Sequence, residues 1–192
     1  MNFLDLTTTQ IVLILAVAAI VVAGIAALLF TRKRRTARLR NQFGGAEYTR
    51  AVTEGGSQRK AEALLDKRAD RVEALHIQPL ASADRARFVE SWARVQSRFV
   101  DGPGGAVAEA DQLLGDVMSK RGYPVSDFEQ RAADISVDHP LVLDNYRAAH
   151  HMAILQTKGQ ASTEDLRQAM IHFRTLFEDL IGEPELARQQ TA

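Results

Sequence analysis

The sequence predicts an all-α protein with three parts: an N-terminal transmembrane helix, a helical juxtamembrane stalk, and a C-terminal bundle of about four helices plus one short helix. Three observations carry that prediction. Ile11 to Phe30 is an unbroken apolar run of twenty residues without a charge or hydroxyl. Beyond residue 81, apolar side chains recur every three or four positions, the period of a helix with one buried face. Nowhere does an alternating apolar and polar run, bounded by turn residues, mark a strand. The expected segments are a short extracytoplasmic N-terminus (1–10), the transmembrane helix (11–30), the basic juxtamembrane segment and stalk (31–80), the bundle (81–182) and a flexible tail (183–192).

At roughly 1.5 Å per residue, the apolar run extends roughly 30 Å, the thickness of a bilayer's hydrocarbon core. Its N-terminal flank, MNFLDLTTTQ, has no Lys or Arg, and Leu28-Leu29-Phe30 abuts TRKRRTARLR. A cleaved leader needs a positive first region and a small-x-small site before a polar start, so the run reads as an uncleaved anchor. Arg32, Lys33, Arg34, Arg35, Arg38 and Arg40 follow it. By the positive-inside rule the C-terminal side is expected in the cytoplasm and the N-terminus outside. These six residues are expected at the membrane surface, touching headgroups. The same run also fits a nucleic-acid patch, but beyond residue 40 the chain carries 18 basic against 23 acidic residues, which argues against nucleic acid as a partner. Ala19, Ala23 and Ala27 form a small-xxx-small stripe, a candidate homodimer contact.

Gly44-Gly45 and Gly55-Gly56 punctuate the stalk. Ser57 reads as the N-cap of the next helix, whose face of Ala61, Leu65, Val72 and Leu75 is interrupted by Arg68, so only partial docking on the bundle is expected. His76 to Leu80 reads as an extended connector, because Pro79 disfavours helix before it. The bundle then opens with Phe88, Trp92, Val95 and Phe99 on one face. After the Asp101 to Gly105 break, Val107, Ala110, Leu114 and Val117 repeat that pattern. Ser126 and Glu129 have capping-box spacing before a short helix. Pro140 suits the first turn of a helix over 139–157 that buries Val142, Tyr146, Ala149 and Ala153. The last helix opens at Ser162, has Glu164 and Asp165 in its first turn, buries Leu166, Met170, Phe173, Phe177 and Leu180, and closes at Gly182.

The chemistry-bearing patterns are sparse. There are no cysteines, which removes disulfides, thiol nucleophiles and cysteine-ligated metals. The five histidines lack the spacing of a helical metal site; His150 and His151 diverge by about a hundred degrees on a helix, leaving only a His150 to His172 meeting across the bundle. Gly102 to Gly105 lacks the Gly-Lys-Ser/Thr ending of a phosphate loop. No cofactor is expected. The densest polar stretch, 121–140, makes Arg121, Tyr123, Asp127, Arg131, Asp134 and His139 candidates for docking an unidentified protein partner. A structural corner, with Arg131 paired to Asp127, is the competing reading. The leading expectation is an adaptor or assembly role. The alternatives are a small-molecule sensor or enzyme using Tyr123, Arg131 and His139 between helices, and a structural membrane organiser.

The strings RGYPVSDFEQRAADISVDHP, RFVDGPGGAVAEADQLLGDVM, DNYRAAH and STEDLRQAM resemble a family of uncharacterised bacterial proteins with a single N-terminal hydrophobic segment, described as membrane or secreted proteins. The similarity runs over about residues 41–181 and includes FGGAEYTRAV and RVEALHIQPL. It implies anchoring in a bacterial inner (plasma) membrane and supplies no activity and no functional residue.

Overall fold

A computed structural model describes residues 8–124 and 126–182. The tail expected over 183–192, and most of the N-terminus expected over 1–10, lie outside the described residues. Seven helices and no strand occur among the described residues: α1 (Thr8–Gly55), α2 (Gln58–Glu73), α3 (Ser82–Arg98), α4 (Pro103–Arg121), α5 (Phe128–Asp138), α6 (Leu143–Thr157) and α7 (Thr163–Ile181).

The apolar run occupies the start of α1 and is long and apolar enough to cross a membrane. All of its large apolar side chains from Val12 to Phe30 are more than half exposed. The helix continues without a break into the polar part, where Leu39 and Phe43 are fully buried. It bends at Gly44, whose φ of 73° and ψ of 162° only glycine adopts readily. Two arms result, 8–43 and 45–55. Side-chain pairings fix their directions. Thr36 meets Gln58 and Glu62, and Arg38 meets Asp66, so α2 runs alongside the first arm in the same sense. Glu47 meets Arg68 and Tyr48 meets Glu62, so α2 runs opposite to the second arm. The chain therefore doubles back at Gly44 and turns again at Gly55-Gly56, where Ser57 accepts from the Lys60 amide and caps α2.

This hairpin has its own core of Leu39, Phe43, Tyr48, Ala51, Ala61, Leu65 and Val72, joined by Val137 of α5. Burying each of the larger apolar side chains contributes about 1.5–3 kcal/mol. Arg68, which interrupts the α2 stripe in the sequence, is turned onto Glu47 and leaves that core apolar. Ile77 packs against both this core and the larger one.

The larger core is built by α3, α4, α6 and α7, with α5 at one end. Trp92 stacks on Phe177 at 4.8 Å between centroids, and Phe173, Leu114, Val117, Ile135 and Tyr146 are fully buried around them. The Ser162 cap of α7 is a full capping box with Asp165. Two local expectations are corrected. α5 is capped by Asp127, which accepts from the Gln130 amide at 2.9 Å, while Ser126 donates to Pro124 O. Asp caps as well as Ser, and the chain places it one residue later. α6 starts at Leu143, not 139, because the His139 amide still closes α5 on Ile135 O and Pro140 to Val142 form a turn.

Candidate functional site

The C-terminus of α4 and the α5–α6 turn gather part of the predicted polar cluster. Gly122, at φ 105°, ends α4 and leaves Arg121 directed at the ends of neighbouring elements. Arg121 Nη1 donates to Leu180 O and to His139 Nε2, both at 3.0 Å, and its Nε to Gln78 O at 3.4 Å. A guanidinium only donates, so His139 accepts through Nε2 and carries its proton on Nδ1, which it donates to Asp179. Tyr123, 2% exposed, donates its hydroxyl to Asp138 Oδ2 at 2.9 Å. Burial and the Asp138 charge push the Tyr123 hydroxyl far above the usual phenol range. Arg121, Tyr123 and His139 thus meet, and Nε and Nη1 of Arg121, the Tyr123 hydroxyl and both ring nitrogens of His139 have protein partners.

The other three candidates are placed elsewhere. Asp127 is spent on the α5 cap. Asp134 is 1% exposed and accepts from Gln130 Nε2 at 2.8 Å and Arg71 Nη2 at 3.4 Å. Burial nonetheless holds its carboxyl above the usual range. Arg131 does not pair with Asp127 through its side chain. It lies 3.6 Å from Asp111 of α4, with its guanidinium 5.9 Å from the Tyr146 ring centre. The Asp127 carboxylate is already engaged by the cap, and the Arg131 side of α5 faces α4.

Beside Arg121 opens a groove of about 690 Å³ between the hairpin and α5. Arg38 and Gln42 of α1, Asp70 and Glu73 of α2, His76, Arg121 and Asp138 provide its polar lining; Val72, Ile77 and Val137 provide its apolar part. Asp70 and Glu73 sit one turn apart on α2, exposed, with no ion pair among the described residues. His76 holds a left-handed backbone (φ 54°) with its Nδ1 on Ala74 O, which redirects the chain past the groove. Leu141, in the turn three residues beyond Asp138, is 90% exposed.

Three polar groupings had no local sequence signal. Glu47, 4% exposed, accepts from Arg68 Nη1 at 2.7 Å and Arg147 Nη1 at 2.5 Å, tying α1, α2 and α6 together. Burial opposes its ionisation, but the two guanidiniums prevail and its pKa is lowered. Glu62 accepts from Thr36, Tyr48 and Gln58 inside the hairpin. Near Arg131, buried polar atoms of Asp111, Arg131, Tyr146 and His150 lack hydrogen-bond partners. His150 stacks on Phe128 at 3.5 Å, and burial lowers its pKa. His172 engages Asn145 at 2.8 Å. Among the described residues, no three His, Asp or Glu side chains are grouped as metal ligands.

The cations that follow the apolar stretch divide into sets. Asp66 binds both Arg35 and Arg38, and Arg34 lies 4.3 Å over the Phe30 ring. Arg32, Lys33 and Arg40 are exposed with no ion pair among the described residues. Ala19, Ala23 and Ala27 are exposed on the apolar stretch. No family model matches the chain, and no curated protein or solved structure is significantly similar to it.

Proposed function

We propose that this protein is a single-pass membrane-anchored adaptor whose cytoplasmic helical part docks a protein partner in the groove between the hairpin and α5. The apolar start of α1 crosses the membrane with the N-terminus outside and the folded part in the cytoplasm, the side on which basic residues accumulate. The reading is carried by the groove's chemistry: Asp70 and Glu73 make no ion pair among the described residues and lie beside an apolar floor, while the cations of the same lining, Arg38 and Arg121, are engaged by Asp66 and by His139 and Leu180 O; Leu141, in the turn after α5, is exposed. Such a surface fits a partner segment presenting Lys or Arg beside an apolar residue. The body's acidic excess acts in the same direction at longer range. An unbroken helix between anchor and hairpin holds the groove at a set height above the membrane, where a tethered assembly factor would meet other membrane components.

Affinity capture of the full chain from detergent-solubilised membranes is expected to recover one stoichiometric partner, lost on combining Asp70→Asn, Glu73→Gln and Leu141→Ser. Equal recovery by that variant would remove the groove from the reading, and capture of no partner would remove docking altogether. Protease protection in spheroplasts tests orientation: cleavage of the folded part from outside overturns it.

A further inference from the structure

The end of the hairpin nearest the apolar stretch has an uncompensated positive charge. The pairing of Thr36 with Gln58 brings the start of α2 level with residues 32–40 of α1. Arg59 and Lys60, in the first turn of α2, therefore join Arg32, Lys33 and Arg40 at this end. All five are exposed and have no ion pair among the described residues. The nearby acids are already engaged: Glu54 by Arg50, Glu62 by Thr36, Tyr48 and Gln58, and Asp66 by Arg35 and Arg38. α2 has no acid in its first turn. Cations are disfavoured there by the helix dipole, so Arg59 and Lys60 oppose the local field unless an anion lies against them.

Geometry identifies the anion. A concavity of about 450 Å³ is lined by Arg32, Lys33, Thr36, Ala37, Arg40 and Gln58. Along α1, Arg32 lies about 3 Å and Arg40 about 15 Å beyond Phe30. Side chains on a helix lean toward its N-terminus, here toward the apolar stretch, so Arg40 reaches back. A headgroup layer of roughly 5–8 Å begins where the hydrocarbon ends.

We propose that this end of the hairpin is a docking surface for anionic phospholipid headgroups, with Arg32, Lys33 and Arg40 receiving phosphates in the concavity and Arg59 and Lys60 meeting the leaflet from α2. The proposal rests on α1 crossing the membrane. Its consequence is that the hairpin lies on the leaflet rather than swinging from it, and Arg35 and Arg38 serve the hairpin fold instead of the lipid.

The test is native mass spectrometry of the full chain from neutral detergent, titrated with phosphatidylglycerol or phosphatidylcholine. The wild type is expected to retain phosphatidylglycerol at least tenfold better. Each cation near an anionic surface contributes roughly a fivefold gain, so Arg59→Gln with Lys60→Gln should cut the preference at least fivefold. Lys67→Gln with Lys158→Gln, an equal loss of charge elsewhere, should leave it unchanged, and melting temperatures should match. An unchanged preference in the Arg59/Lys60 variant overturns the proposal, as does full competition by equimolar inorganic phosphate or by a short RNA. Alkaline carbonate extraction of membranes separates the two readings: release of the protein defeats the anchor, whereas retention without lipid preference defeats only this surface.

Discussion

Replacing Glu47 with alanine removes the single carboxylate that joins the second arm of α1 to both α2 and α6. The carboxylate is 4% exposed, and its partners Arg68 and Arg147 are 18% and 15% exposed. Removing one member of a buried ion pair costs about 3–5 kcal/mol, because the remaining charge stays desolvated. Here two guanidiniums are stranded, but each retains some access to water, which places the expected loss near the lower limit, at about 3 kcal/mol. Glu47→Gln keeps an acceptor and should lose about half as much. The loss should be local to the hairpin, since the Trp92–Phe177 core does not depend on it. Amide hydrogen exchange on the full chain in detergent reads this directly: α2 amides should exchange roughly 100-fold faster in Glu47→Ala, while those of α4 and α7 change little. A change below about threefold in α2 would refute the clamp. A Glu47→Ala, Arg147→Ala cycle should return a coupling of about 1–3 kcal/mol.

Gly44→Ala should destabilise the hairpin by about 1–3 kcal/mol through backbone strain alone, because the only atom near an added Cβ is that of Pro140 at 3.9 Å; an unchanged melting temperature would refute the positive φ. Tyr146→Phe removes a buried hydroxyl with no partner and should be neutral or stabilising by up to about 1 kcal/mol; a clear loss in thermal denaturation would mean that the hydroxyl is bonded. Acid should weaken the fold in two stages. Burial depresses His150 below 6.5, so the unfolded chain takes up a proton that the folded one resists, and stability falls as pH drops below that value. Glu47 is lowered from 4.5, so its contribution is complete above 4.5 and is lost as pH falls through the folded value. Asp134 acts oppositely: its raised pKa makes the buried charge a cost that disappears on protonation. Unfolding followed from pH 8 to 3 should show both declines, with the acid stage reduced in Glu47→Gln; an identical acid stage in that variant would contradict the assignment.

The helices and the larger core were legible because their signals are local. The Phe88 to Phe99 and Leu166 to Leu180 stripes identify buried faces within a few turns, and Ser57 and Ser162 cap through amides three residues away. Where two adjacent residues can serve equally, local reading fails by a residue or a turn. Asp127 displaces Ser126 as a cap, and His139 finishes α5 before Pro140 can begin α6. The candidate cluster was half legible for a related reason. Arg121, Tyr123 and His139 are near in sequence and near in space, whereas Arg131, on the same short helix, faces α4 instead.

Sequence by itself determined the all-α class, the apolar stretch and most helix boundaries, since main-chain bonding and a 3.6-residue period act within a turn or two. The tertiary structure alone decided that the stalk folds back on itself at Gly44, that Arg35 and Arg38 close on Asp66 while Arg32, Lys33 and Arg40 stay open, and that Asp70 and Glu73 line a groove. Glu47 finds Arg68 and Arg147 at 21 and 100 residues' separation. Charges at such distances have no preferred neighbour until packing brings their helices together, and burial then makes the pairing costly to break.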